Sequence, residues 1–185
     1  FKATVSDPNQ ISQVLRIIFT SAEFNAPANK LVKIKTPLEF ATSFVRVLEG
    51  ESTGRRLQDH IANMGLSLYE NPWPTGWSDE GADWMASGLL IERIKAVESM
   101  LRVNKVESLK TDLLTYFSAN GVTTADAIVD FLLTHLLGEY PALARQQAIA
   151  FLIGGNGFSL TDSDANTRLR HLLEIITSYP QYQYQ

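Results

Sequence analysis

The clearest structural signal in this sequence is the stretch Thr36-Pro37-Leu38-Glu39-Phe40-Ala41-Thr42-Ser43-Phe44-Val45-Arg46-Val47-Leu48-Glu49-Gly50. Its first four residues form a capping box, in which the threonine hydroxyl and the glutamate carboxylate each accept a hydrogen bond from the other residue's backbone N–H. Proline at the first helical position has a φ angle that already suits a helix. The apolar residues that follow recur at the spacing of one helix face, and glycine is common just after a helix end. The stretch therefore predicts an amphipathic helix with one buried face.

Seven other segments of the chain show the same helical periodicity. We predict helices at about 8–21, 54–64, 87–103, 107–119, 124–137, 142–153 and 163–178. In the long helix at 87–103, the spacing places Leu90, Ile94, Val97 and Leu101 on one face. No segment shows the alternation of polar and apolar residues that is typical of a strand. The predicted fold class is all-α, an irregular bundle of about eight helices, several of them short, with no significant β-sheet.

Composition and charge exclude several classes of protein. Apolar residues make up 45% and charged residues 19% of the 185 residues, which is enough apolar surface for a folded core. No apolar run is long enough to cross a membrane. Twenty acidic and sixteen basic side chains give a net charge of −4 without a basic cluster, so we expect no nucleic-acid partner. The absence of cysteine excludes disulfides and thiol catalysis.

The domain organisation is predicted to be simple. We expect one helical domain over residues 1–185, with a candidate seam near 104–106. Because the sequence starts at Phe1 rather than at a methionine, we also expect it to be the mature or excised part of a longer protein.

Histidine and carboxylate patterns offer little support for metal or acid–base chemistry. His60, His135 and His171 have no second histidine one helical turn away, and His135 is predicted to lie on the buried face of its helix. The residues Asp162, Asp164 and Asn166 match the first half of a calcium-binding loop, but the required glycine and final glutamate are missing. They are weak metal candidates, and helix capping explains them equally well. We expect no cofactor.

An aromatic loop at residues 69–84 is the candidate functional region. It contains all three tryptophans of the chain together with a tyrosine and several carboxylates. The candidate ligand-binding residues are Tyr69, Trp73, Trp77, Asp79, Glu80, Asp83 and Trp84. Aromatic rings beside carboxylates suit a carbohydrate or another flat ligand. Tryptophans also hold a long loop in place by burying themselves in the core, so a purely structural role is the alternative.

Several sequence blocks carry a family resemblance. They are Ile18 to Phe24, Lys33 to Phe40, Leu66 to Asn71, Pro74 to Trp77, Asp83-Trp84 and Ser87 to Leu90. In this order they resemble the C-terminal half of the bacterial family catalogued as domain of unknown function 1800 (DUF1800). The resemblance is clear over residues 10–103 and returns at the closing segment 173–182. It implies a helical protein, often exported and usually larger than this chain, and it carries over no catalytic residues.

Two functional hypotheses follow from these observations. The first is a helical C-terminal module of a larger exported bacterial protein, serving interaction or structure and without catalytic machinery of its own. Its expected partners are the N-terminal part of the same protein and another protein. The second is a carbohydrate-binding or glycan-hydrolysing domain that uses the loop at 69–84.

Overall fold

The computed structural model describes residues 7–102 and 109–185. Within these residues the chain forms eight α-helices and no β-strand, so the predicted all-α fold is confirmed. The helices are α1 (Gln10–Thr20), α2 (Pro37–Val47), α3 (Arg55–Asn63), α4 (Ser87–Leu101), α5 (Leu113–Ala119), α6 (Ala125–Leu137), α7 (Ala142–Ile153) and α8 (Ala165–Ser178). Short 3₁₀ helices occur at Pro27–Asn29, Gly81–Trp84 and Pro180–Gln183. None of the described helices has the length and apolarity that crossing a bilayer requires.

The chain divides into two compact units. One comprises Phe1–Val32 with Gln185, and the other comprises Lys33–Tyr184. Helix α1 belongs to the first unit, and none of its residues is buried, although its apolar residues recur at helical spacing. The predicted seam near 104–106 lies outside the described residues, and a single domain over 1–185 stays a prediction.

The hydrophobic core of the second unit lies between helices α2 to α8. α6 packs against α7, and α8 contacts α4, α6 and α7. The side chains at the centre are almost completely excluded from solvent and include Phe40, Phe44, Leu48, Phe117, Ile128, Leu132, Leu172 and Ile176. Each helix contributes residues three or four positions apart, which is the spacing that puts side chains on one face.

Helix α2 begins as its sequence predicts. The hydroxyl of Thr36 accepts a hydrogen bond from the backbone N–H of Glu39 (3.3 Å), and the Glu39 carboxylate accepts one from the N–H of Thr36 (2.8 Å). At the other end, Glu49 rather than Gly50 adopts the left-handed conformation, with φ at 47°. The N–H of Gly50 donates to the carbonyl oxygen of Val45 and so closes the last turn.

Gly50 is required for close packing rather than for its φ angle. A Cβ atom there would lie 2.7 Å from Cδ2 of the buried Leu109 and closer still to Cγ and Cδ1. We predict that Gly50→Ala lowers the free energy of unfolding by about 1–3 kcal/mol, because Leu109 must move within a packed core. Gly155→Ala is the control, since nothing lies within 4 Å of the added atom. Urea unfolding that gives equal losses for both variants would contradict the prediction.

Helix α5 starts later than predicted. It begins at Leu113 rather than near 107, and residues 107 and 108 lie outside the described part of the chain. The carboxylate of Asp112 accepts hydrogen bonds from the N–H groups of Leu114 and Thr115, which makes it the N-cap. Just before it, Lys110 pairs with Glu51 in an isolated β-bridge, so this segment is extended.

Helix α4 buries only part of the face that the apolar spacing predicts. Val97 and Leu101 are buried as predicted, and Leu90 is partly buried. Ile94 is 54% exposed, whereas Arg93 is only 1% exposed. The buried positions are Arg93, Ala96, Val97, Met100 and Leu101. The prediction for Ile94 is therefore wrong. The physical reason is that the Arg93 guanidinium finds hydrogen-bond acceptors in the core, as described below.

His135 is also placed differently from its prediction. It is exposed rather than buried. Its Nδ1 hydrogen-bonds to the carbonyl oxygen of Phe131 one turn earlier (2.7 Å), and its ring packs 4.2 Å from the Phe131 ring. Phe131 is only partly buried, so this turn of α6 lies at the border of the core.

Candidate functional site

The three tryptophans of the aromatic loop lie at three different depths. Trp84 is 5% exposed and belongs to the core. Trp77 is half-buried and packs against the core, with its ring centroid 6.4 Å from that of Trp84. Trp73 is 69% exposed, and Tyr69 is fully exposed. The loop therefore has a buried aromatic end and an exposed aromatic end.

The buried end is fixed to the core by several contacts. The carbonyl oxygen of Trp84 accepts a hydrogen bond from Nη2 of Arg93 (3.3 Å). The backbone at Gly81 packs closely on Ile34, because a Cβ atom at Gly81 would lie 3.0 Å from the Ile34 Cβ. A 3₁₀ turn over Gly81–Trp84 directs the tryptophan ring inward. These contacts hold the base of the loop against the core.

The exposed end is shaped by tight turns. The side-chain oxygen of Asn71 accepts a hydrogen bond from the N–H of Trp73 (2.7 Å). The N–H of Gly76 then donates to the carbonyl oxygen of Trp73 (3.2 Å), with Gly76 at a φ of 83° that favours glycine. Tyr69 has a φ of 65°, an uncommon conformation for an aromatic residue. Local hydrogen bonds thus hold Trp73 in a defined turn at the surface.

The loop carboxylates differ in their contacts. Asp83 accepts a hydrogen bond from the Ser78 hydroxyl (2.6 Å), which also accepts one from the N–H of Glu80 (3.0 Å). Within the described part of the chain, the side chains of Asp79 and Glu80 are exposed and make no hydrogen bond or ion pair. A general acid or base must be held within reach of the reacting atom.

The candidate metal ligands are occupied by arginine side chains. Asp164 accepts two hydrogen bonds from Arg168, at 2.8 and 2.9 Å, which hold the pKa of its carboxyl below the usual value. Asp162 lies 3.7 Å from the same guanidinium, and Asn166 accepts a hydrogen bond from Nε of Arg170. Asp164 is the N-cap residue of α8, although its side chain makes no capping bond. Over residues 7–102 and 109–185, no cluster of three or more potential ligands could hold a metal ion.

A buried polar cluster links the start of α2, the middle of α4 and the C-terminal segment. Nη2 of Arg93 donates to the carbonyl oxygen of Lys35 (2.7 Å), and Nη1 donates to the side-chain oxygen of Gln183 (3.1 Å). Nζ of Lys35 donates to the carbonyl oxygen of Tyr182 (2.9 Å) and lies 3.9 Å from the centre of its ring. The Tyr182 hydroxyl donates to the carbonyl oxygen of Phe40 (3.1 Å). We call Lys35, Arg93, Tyr182 and Gln183 the latch.

The electrostatics of the latch are unusual because its two buried cations contact neutral oxygen atoms. Burial lowers the pKa of Arg93 to about 10. Burial and, to a smaller degree, the charge of Arg93 lower the pKa of Lys35 to about 8, and Glu39 opposes this shift. Burial raises the pKa of the Tyr182 hydroxyl. The latch was not predicted from the sequence because its members are far apart in the chain. The one available signal was Arg93 itself, which lies at helical spacing from Val97.

The latch predicts a pH dependence of stability. The pKa of Lys35 is about 8 in the folded protein and 10.5 in an unfolded chain, so between these values the unfolded state binds more protons. The cost of burying the charged amine is present below pH 8 and disappears as the pH rises. We expect the free energy of unfolding to increase by about 1–2 kcal/mol from pH 8 to pH 10. Denaturant unfolding at pH 8, 9 and 10 measures this change in the free energy of unfolding.

The control for this prediction is Lys35→Met, which keeps the unbranched apolar part of the side chain without its charge. The free energy of unfolding of this variant is measured at each pH and subtracted from that of the unchanged protein. The difference removes the contribution of other titrating groups. Ionisation of Tyr182 opposes the effect above pH 10, because its pKa is raised in the folded state. Identical profiles for the two proteins between pH 8 and pH 10 would disprove a charged, buried Lys35.

Comparisons with known proteins agree with the sequence resemblance. A family model described as "Protein of unknown function (DUF1800)" matches residues 1–184. The match extends over nearly the whole chain, including the part after residue 103 where the sequence blocks are less distinctive. No curated protein matches the chain, and no solved structure matches it.

Proposed function

This chain belongs to the DUF1800 family, and we propose that it is a non-catalytic interaction module of a larger protein and that its contact surface is the aromatic loop. One observation carries the proposal. The loop is anchored in the core through Trp84, while Tyr69 and Trp73 point their rings at solvent. Exposing two large aromatic rings has no benefit for folding, whereas tyrosine and tryptophan are enriched where proteins bind each other.

The absence of a positioned acid–base pair in the loop supports a binding role over a catalytic one. The Asp83 carboxylate stabilises the turn by accepting a hydrogen bond from the Ser78 hydroxyl. Asp79 and Glu80 have no partner within the described residues that would orient their side chains. A robust turnover in a hydrolase panel that is lost on replacing one of these carboxylates would overturn this part of the proposal.

Site-specific photocrosslinking tests the interaction directly. A photoreactive phenylalanine analogue replaces Trp73 in the full chain, expressed in its own host, and the products are identified by mass spectrometry. The control places the same analogue at Leu143, which is 61% exposed on α7. We expect a discrete adduct with one protein from position 73 and not from position 143. Equal, diffuse labelling at both positions would contradict the proposal.

A carbohydrate ligand is the second candidate function. Flat exposed rings at Tyr69 and Trp73 could stack on sugar rings, and the carboxylates of Asp79 and Glu80 could accept hydrogen bonds from hydroxyl groups. Titration of neutral oligosaccharides against tryptophan fluorescence tests this directly. A saturable change that is lost in Trp73→Ala would support it, and no change at millimolar ligand would remove it.

We also propose that the larger protein is exported, as its family resemblance implies. Fractionation of the host with an antibody against this chain gives the test. Recovery in the periplasmic or extracellular fraction is expected, and recovery in the cytoplasm alone would contradict the proposal.

A further inference from the structure

We propose that the aromatic loop binds an arginine-bearing segment of a partner protein. This inference rests on the proposed interaction function and names the chemistry of the partner. Three properties of the loop carry it: its charge, the lack of internal partners for that charge, and the exposure of its rings.

The negative charge of the chain is concentrated in the loop. Residues 69–84 contain Glu70, Asp79, Glu80 and Asp83 and no lysine or arginine. Of the twenty acidic side chains, the sixteen outside the loop are balanced by the sixteen basic ones. The formal net charge of −4 is therefore the charge of the loop.

Several carboxylates elsewhere in the second unit have cationic partners. Glu39 pairs with Lys33, Glu98 pairs with Arg102, and Asp130 pairs with Arg145. Among the described residues, none of the four loop carboxylates lies within ion-pair distance of a basic side chain. Their electrostatic potential is not neutralised within the described chain and remains available to a cationic partner.

The exposed rings make arginine the most suitable cation. A guanidinium group stacks on the face of tryptophan or tyrosine and at the same time donates paired hydrogen bonds to a carboxylate. Trp73 and Tyr69 provide the exposed faces, and Asp79 and Glu80 provide exposed carboxylates on the same short loop. Lysine would gain the charge attraction with less stacking. An anionic partner would be repelled, and a neutral glycan would lack the attraction between opposite charges.

Peptide binding to the full chain tests the inference. The probes are octapeptides in which glycine alternates with arginine, lysine or glutamine, and binding is followed by tryptophan fluorescence and calorimetry. We expect the arginine peptide to bind at least about tenfold more tightly than the glutamine peptide. Its affinity should fall by about fivefold or more between 20 and 200 mM salt, because exposed charges are screened.

Matched variants separate the loop from the general charge of the protein. Asp79→Asn combined with Glu80→Gln should weaken arginine-peptide binding by about fivefold or more, without a change in melting temperature. Glu51→Gln combined with Glu98→Gln changes the net charge equally outside the loop and should weaken binding less than about twofold. Trp73→Ala should also weaken binding while the protein stays folded.

Each other outcome overturns the inference. Equal losses for the two double variants would show that the charge of the whole chain attracts the peptide. Equal, salt-independent binding of the glutamine peptide would show that the rings act without the carboxylates. Saturable binding of cellohexaose with no preference for arginine would assign the loop to a glycan. If no peptide binds but position 73 crosslinks to one protein, the chemistry of the partner is wrong and the proposed function stands; if crosslinking also fails, both are wrong.

Discussion

Replacing Arg93 with alanine is expected to lower the free energy of unfolding by about 3–5 kcal/mol. The guanidinium donates to the carbonyl oxygens of Lys35 and Trp84 and to the side chain of Gln183, all in the interior. Alanine leaves these three oxygen atoms without a donor and opens a cavity beside Phe40, whose ring lies 5.0 Å from the guanidinium carbon. Chemical denaturation followed by circular dichroism measures the loss.

Two further variants test the cause of this loss. Arg93→Met fills most of the volume and removes the buried charge, so we expect a smaller loss than with alanine. Arg102→Ala removes an arginine from the end of the same helix, where its side chain makes an exposed ion pair with Glu98. It should cost less than about 1 kcal/mol. If Arg93→Ala and Arg102→Ala were equally stable, the latch would not be a stabilising element.

Among the tryptophans, Trp84→Ala is expected to have the largest effect, a loss of about 3–5 kcal/mol in the free energy of unfolding. Its ring is 5% exposed and packs in the core beside Trp77. Trp73→Ala should change stability by less than about 1 kcal/mol, because the ring is exposed. Trp77→Ala should lie between the two, because Trp77 is half-buried. Thermal melts of the three single variants provide the measurement.

This order of effects separates the two roles of the aromatic loop. If Trp84 anchors the loop and Trp73 contacts a partner, stability and binding are lost in different variants. A result in which Trp73→Ala is the most destabilising of the three would contradict this division. It would also weaken the proposed function, because binding losses at position 73 would then reflect unfolding.

Arg93 joins the latch to the aromatic loop. The same guanidinium that holds the C-terminal segment through Gln183 also holds the carbonyl oxygen of Trp84 at the base of the loop. The base of the loop and the C-terminal segment are therefore held by the same guanidinium. Tyr182 within that segment is fully buried, so the segment is part of the core rather than an appended tail.

The helices were predictable from local sequence because their signals are local. The capping box at Thr36 and the N-cap at Thr124 act on N–H groups within three residues, and both are present in the structure. Helix α8 was predicted at 163–178, and its Leu169 and Leu172, which lie three positions apart, are fully buried. The start of α5 was less predictable, because Asp112 and the pairing of Lys110 with Glu51 override the helical propensity of the residues before it.

The candidate site was only partly predictable. The composition of the loop singled out residues 69–84 as the candidate region, and their role in binding stays a prediction. The proline on each side of Trp73 favoured exposure of its ring, which is 69% exposed. The depth of each ring could not be predicted, because burial depends on which surface the loop meets. Trp84 is buried because Arg93 and the backbone near Gly65 lie beside it, and neither neighbour follows from the sequence of the loop.

The sequence by itself determined the all-α class and the approximate extent of most of the eight described helices, because capping and periodicity depend on neighbours one turn away. Only the tertiary structure decided which face of α4 is buried and where the polar groups of the core find partners. Lys35 and Tyr182 are 147 positions apart, and Arg93 and Gln183 are 90 apart. A buried cation is tolerated only where acceptors surround it, and such acceptors come together when distant segments pack against each other.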